Sequence, residues 1–142
     1  QHSVATAFIA LFWSTYNSYS QEKRDRLVTL ALVHDAHEAV TGDILPFFKT
    51  PDVRESIETI QQNILQAFQI QEDEESKKEL KLLDKISFLY EISKSSPKGI
   101  KPESKELLDE IYSRQKEEIY TFAKDAGFEK KKVQDFMTVL GL

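Results

Sequence analysis

The chain has 142 residues, 40% hydrophobic and 30% charged, with a formal net charge of −5 and no cysteine. Those values describe one globular domain with a core of its own, and they exclude disulfides, thiolate metal sites and thiol nucleophiles together. The negative charge argues against a nucleic-acid polymer as ligand, because phosphate-backbone binding rests on Lys and Arg, whereas a single nucleotide held through a metal stays compatible.

Val4, Ala7, Phe8, Leu11 and Phe12 recur at helical spacing and predict a first helix over about Ser3 to Tyr16, with His2 at its start. It opens almost at Gln1, without an initiator Met, so a further segment before Gln1 is expected. Asn17 to Ser20 reads as a polar turn. Lys23 to Ala39 predicts a second helix, apolar almost all round from Leu27 and therefore expected at the centre. Thr41 to Thr50 is a loop, and Thr50-Pro51 reads as an N-cap followed by a first-turn proline. Val53, Ile57, Ile60, Ile64, Leu65 and Phe68 carry the next helix to about Ile70.

After a polar connection, Ser76 and Glu79 fit a capping box. They would open a helix with Leu80, Leu83, Ile86, Leu89 and Tyr90 on or near its buried side. Ser93 to Ser104, with Pro97, Gly99 and Pro102, is a loop. Leu107 through Phe122 traces a long helix ending near Gly127 as a C-cap residue, and Val133, Phe136, Met137 and Leu140 trace a last short one. Strand alternation and internal repeats are absent. The expected fold is all-α, a single bundle of about six helices over residues 1–142. No apolar run approaches the roughly 20 residues of a membrane span, and no signal-peptide pattern is present. The lack of cysteine agrees with a reducing, cytoplasmic setting.

The chemistry concentrates where the apolar run Leu27 to Val33 gives way to His34-Asp35-Ala36-His37-Glu38 and then Gly42-Asp43. Ionisable groups at the rim of a core are costly unless paired, and a divalent metal pairs several at once. On a continuous helix His34 and Glu38 share a face one turn apart, and the helix yields at Gly42, where Asp43 can point back toward the same pocket. The chain has only three His, so the ligand candidates are few: His2, His34, Asp35, and Asp84 among apolar neighbours. Such a mixed nitrogen and oxygen set suits Mn, Co, Fe, Ni or Zn. His37 reads as exposed or standing behind the ligands, and Trp13 with the other aromatics as core or dimer contacts. No P-loop or nucleophile-elbow motif offers a competing chemistry.

In its order this set resembles the HD-domain metal-dependent phosphohydrolases, and more finely the bacterial 5'-deoxynucleotidases of that superfamily. Their pattern runs Glu-His-Ser, His-Asp-x-x-Glu, Gly-Asp, a nearby Lys, then an Asp with a Glu further along an apolar helix. The chain carries Gln1-His2-Ser3, His34-Asp35-Ala36-His37-Glu38, Thr41-Gly42-Asp43, Lys49, and Asp84 with Glu91, over about the first two-thirds of its length. The resemblance implies that His2, His34, Asp35 and Asp84 bind one divalent transition metal. It further implies that Glu38 positions or deprotonates the attacking water, Asp43 assists at the leaving oxygen, and Lys49 contacts the phosphate.

The activity so implied is removal of the 5'-phosphate from a (deoxy)nucleoside monophosphate by a cytoplasmic homodimer. Family members also carry an Arg and an aromatic residue upstream of the first His, a stretch that would precede Gln1 here. One alternative is removal of triphosphate from a dNTP, which calls for more basic residues than Lys49 near the motif. The other is a non-catalytic HD-type ligand-binding or interaction module, which would have lost a metal ligand or Glu38.

Overall fold

The computed structural model describes residues 1–95 and 99–142, and the predicted loop residue Pro97 lies outside them. Among the described residues the secondary structure is helical, with no strand. The long helices are α1 (His2–Tyr16), α2 (Gln21–Val33), α4 (Pro51–Ala67), α5 (Glu74–Lys94), α6 (Pro102–Asp125) and α7 (Lys130–Val139). A single-turn helix α3 (Glu38–Thr41) follows α2, and a 3-10 turn (Pro46–Phe48) precedes α4. The six long helices match the expected bundle.

Local chemistry sets most of the ends. Ser20 caps α2 by accepting from the Lys23 amide at 3.2 Å, which starts that helix earlier than its apolar pattern does. Thr50 caps α4 with Pro51 in its first turn, as expected. The capping box of Ser76 and Glu79 does not form. Asp73 is the cap instead, its carboxylate accepting from the Ser76 amide at 2.7 Å, so α5 begins before Ser76. The loop expected from Ser93 to Ser104 is shorter, because α5 continues to Lys94 and α6 begins at Pro102 with a first-turn proline. α6 ends as expected at Gly127, whose φ of +86° allows the Phe128 amide to reach back to the Ala123 carbonyl at 2.8 Å.

The second helix departs most from expectation. It stops at Val33, and His34 to His37 form a tightened turn before α3. Nor is it central. Its buried residues are Leu27, Leu30 and Ala31, while Leu32 is 49% exposed. The central element is α5, which contacts α1, α2 and α6. Its Leu80, Leu82, Leu83, Ile86 and Leu89 cover enough of its circumference to face several neighbours. α7 closes the bundle by packing on α6 and by setting Phe136 edge-on to Trp13 of α1, ring centroids 5.0 Å apart.

Glu79 became a core residue rather than a cap. It is 2% exposed, and one carboxylate oxygen accepts from Trp13 Nε1 at 3.1 Å and from the Tyr19 hydroxyl at 2.8 Å. Lys23 Nζ stands 3.2 Å from the other oxygen. Burial, together with the Glu79 carboxylate, pushes the Tyr19 hydroxyl up to about 12. These contacts tie α1, α2 and the turn between them to α5. Glu79→Ala strands a buried indole N–H and leaves Lys23 with Glu75 alone of its two carboxylates, so a loss of about 2–4 kcal/mol is expected. Thermal melting should fall by roughly 5–15 °C; an unchanged melting temperature would show that the carboxylate contributes nothing net.

Candidate metal centre

Three elements bring the ionisable side chains together. The first turn of α1 supplies His2, the turn after α2 supplies His34 and Asp35, and α5 supplies Asp84 from its middle and Glu91 from its last turn. Donor atoms of His2, His34 and Asp35 all lie within 4.8 Å of one another, close enough to share one ion. Asp84 Oδ1 sits 2.7 Å from His2 Nε2 and 3.2 Å from His34 Nε2. The four residues expected as ligands therefore converge.

Each histidine is anchored through its Nδ1 side by a fixed acceptor. His2 Nδ1–H donates to Glu91 Oε2 at 2.8 Å. His34 Nδ1–H donates to the Ala31 carbonyl at 2.6 Å. A carbonyl can only accept, so for His34 the bond assigns the Nδ1 proton and turns Nε2 toward the cluster, whereas His2 is bonded to a carboxylate through each ring nitrogen, Nδ1 to Glu91 and Nε2 to Asp84. His34 Nε2 has no hydrogen-bond partner although it is buried. It lies 3.1 Å from Asp35 Oδ2 and 3.2 Å from Asp84 Oδ1, at ion-pair distance but without hydrogen-bond alignment. A buried nitrogen facing carboxylates without bonding to them is the arrangement that suits a shared cation. The donor set fits a divalent transition metal.

Charge in the cluster is strongly coupled. Burial disfavours the His34 imidazolium, but Asp35, Asp84 and the Ala31 carbonyl outweigh it and lift the pKa from 6.5 to about 10. His2 is raised in the same way, its burial outweighed by Asp84 and Glu91. The adjacent His34 ring holds Asp35 below the ordinary carboxylate range, and both histidines lower Asp84 against the effect of its burial. A pKa raised on folding stabilises most below the unfolded value and loses that contribution as pH climbs through the folded one. Chelator-treated protein is therefore expected to lose melting temperature as pH rises from about 6.5 toward 10, the span set by His34. His34→Asn should flatten that slope; a flat profile in the unsubstituted protein would contradict the coupling.

The turn between α2 and α3 rearranges the expected helical face. Ala36 N–H bonds Val33, Glu38 N–H bonds Asp35 and Ala39 N–H bonds Ala36, each across three residues at 2.9–3.1 Å. Three-residue bonding stacks positions i and i+3. Glu38 is thereby grouped with Asp35 and His37, whose donor atoms lie within 4.8 Å of one another, instead of being set over His34 by a continuous helix. Asp43 follows Gly42, whose φ is +69°, on an exposed loop. Lys49 lies beyond the 3-10 turn, its carbonyl accepting from Arg54 Nε at 2.9 Å. Neither Asp43 nor Lys49 lines the cavity beside the cluster.

That cavity measures about 300 Å³, and its walls include His34, His37, Gln61, Lys77, Lys81 and Asp84. Lys77 and Lys81 supply positive charge there that no motif announced. A larger cavity of about 450 Å³ lies around Trp13, Tyr19, Glu79 and Gly127, and none of His2, His34, Asp35 and Asp84 lines it. The smaller one adjoins the cluster through His34 and Asp84, while His2, Asp35 and Glu38 are not among its walls. Glu91, already paired with Asp84 in the ordered motif, falls two helical turns after it and so shares its face. Gln61 left a fainter trace, a polar residue inside the apolar stripe of Ile57, Ile60 and Ile64.

Comparison with known proteins finds a match to the family described as the HD domain over residues 1–127. Among solved structures the fold is similar to a cyanophage S-2L HD phosphohydrolase (DatZ), bound to dA and one catalytic Zn²⁺ ion. The TM-score is 0.70 and the sequence identity 19%, over 97% of this chain and 77% of that one. No curated protein sequence matches.

Proposed function

Because the chain belongs to the HD-domain family, we propose that it is a divalent-metal-dependent phosphohydrolase that removes the 5'-phosphate from (deoxy)nucleoside monophosphates. The observation that carries the reading is the convergence of His2, His34, Asp35 and Asp84, with the unpartnered His34 Nε2 among them. Those four side chains would hold one ion, of Mn, Co, Fe, Ni or Zn. The structural relative with bound Zn²⁺ and dA supports both a metal and a nucleoside-containing ligand.

A bound divalent ion acidifies water and offsets phosphate charge. The protein groups do the rest. Glu38 takes the proton of the attacking water as general base. Asp43 assists at the leaving 5'-oxygen, which requires its exposed loop to fold over the cavity when substrate is bound. Lys49 on the same loop would reach the phosphate only by that movement, whereas Lys77 and Lys81 already line the cavity. Lys77 is within 4.0 Å of Glu58, Glu72 and Glu74, so much of its charge is spoken for. Lys81 has no ion pair among the described residues and is the cation better suited to a phosphate. So few free cations favour a monophosphate over a triphosphate.

The reading includes a cytoplasmic homodimer, supported by the exposed apolar stripe of Val4, Phe8, Phe12 and Tyr16 on α1. No helix is long and apolar enough to cross a membrane among the described residues. The deciding experiment strips the protein of metal and adds back Mn, Co, Mg, Zn or Ni singly. Phosphate and triphosphate release is followed from dAMP, AMP and dATP. Metal-dependent orthophosphate from a monophosphate is the expected result. Triphosphate from dATP would replace it with a dNTP triphosphohydrolase, and metal binding without turnover of any of the three would favour a ligand-binding module.

A further inference from the structure

We propose that Gln61 of α4 is the positioning residue that holds the His34–Glu38 turn in the shape that aims its ligands, an inference that rests on the metal-centre reading of that turn. One side-chain amide joins two helix ends. Gln61 Nε2 donates to the carbonyl of Val33, the last residue of α2, at 2.8 Å. Its Oε1 accepts from the backbone N–H of His37, the residue before α3, at 3.0 Å and from His37 Nδ1–H at 3.2 Å. The orientation of the amide is forced, since a carbonyl requires the NH₂ end and a backbone N–H requires the oxygen.

The residues spanned by this clamp are His34, Asp35 and Ala36. The three-residue bonds of the turn satisfy the amides of Ala36, Glu38 and Ala39 but skip that of His37. Gln61 supplies the partner the turn itself lacks. Every side-chain hydrogen bond of Gln61 among the described residues goes to this turn or its edge. The rest of α4 is lightly held, with Leu65 its one buried residue. Gln61 occupies a position between Ile57 and Ile64 where an apolar side chain would extend the stripe. A leucine there would keep or improve the packing of α4 while removing the clamp, so helix docking and ligand geometry can be separated experimentally.

The test uses Gln61→Leu and Gln61→Glu in the full chain, with Co²⁺ as probe. Co²⁺ affinity is measured against a competing chelator, the visible absorption band reports ligand geometry, and melting temperature reports the fold. Gln61→Leu is expected to weaken Co²⁺ binding about 10–100-fold, the range seen when groups that orient metal ligands are removed, and to shift the band. Gln61→Glu keeps an acceptor for His37 and loses the donor to Val33, so a smaller loss with a shifted band is expected. Unchanged affinity and band in Gln61→Leu would overturn the proposal, even with a lowered melting temperature. Should Gln61→Leu fail to fold, the same two readouts in Gln61→Glu decide. If the unsubstituted protein takes up no Co²⁺, the metal reading fails on its own. Hydrogen exchange at the His37 amide then still tests the clamp: faster exchange in Gln61→Leu, which removes the acceptor, supports it, and an unchanged rate overturns it.

Discussion

Asp35→Ala is expected to lose bound metal and turnover together. Asp35 belongs to the donor group with His2 and His34, and it is the only carboxylate in that group. The adjacent His34 ring holds the Asp35 carboxyl below the ordinary carboxylate range. Its removal leaves two imidazoles and Asp84 to balance a divalent charge, and leaves the raised His34 with one fewer carboxylate beside it. A metal contributes several kcal/mol of charge stabilisation in the transition state of phosphate chemistry. At about 1.4 kcal/mol per tenfold, turnover should fall about a thousandfold or more. The side chain is 29% exposed, so the fold should survive the change. Metal content after desalting and orthophosphate release are the two measurements. A variant that retains one ion per chain would remove Asp35 from the ligand set.

Glu38→Gln should separate what Asp35→Ala joins. Glu38 is grouped with Asp35 and His37 rather than with the two ligand histidines, so its carboxylate is near the centre without belonging to the first donor set. Glutamine keeps the size and hydrogen-bonding reach of the side chain but cannot take a proton from water at neutral pH. Metal content should stay at the unsubstituted level while turnover falls about 10²- to 10⁴-fold, the usual worth of a positioned general base. Full activity would refute the base assignment. Loss of metal along with activity would make Glu38 a ligand.

The two substitutions differ in how their targets could be read. His34 and Asp35 are adjacent at the end of an apolar run, so their chemistry is visible without any knowledge of the fold. The relation of Glu38 to them is not. A continuous helix would place it over His34, and the three-residue bonds of the turn place it with Asp35 instead. Helical period assumes that the helix continues; it says nothing of a side chain on another helix that pins the turn open. Gln61 is that side chain, and in the sequence it is only an interruption of an apolar stripe.

Glu79 teaches the same lesson in the core. Its spacing from Ser76 satisfies a capping box, yet Asp73 wins the N-terminus of α5 and Glu79 is buried under Trp13, Tyr19 and Lys23. Capping is worth about 1 kcal/mol, less than a buried carboxylate gains from three partners.

Composition and helical period determined an all-α chain, the long helices within a few residues, and His34 and Asp35 as candidate ligands. The ordered motif added His2 and Asp84. Tertiary structure alone decided that α5 and not α2 is central, that Glu91 and the Ala31 carbonyl anchor the Nδ1 sides of His2 and His34, and that Lys77 and Lys81 line the cavity. The physical reason is one of range. Period and propensity act over a turn or two and show which residues share a face, whereas which faces meet depends on the packing of the whole bundle.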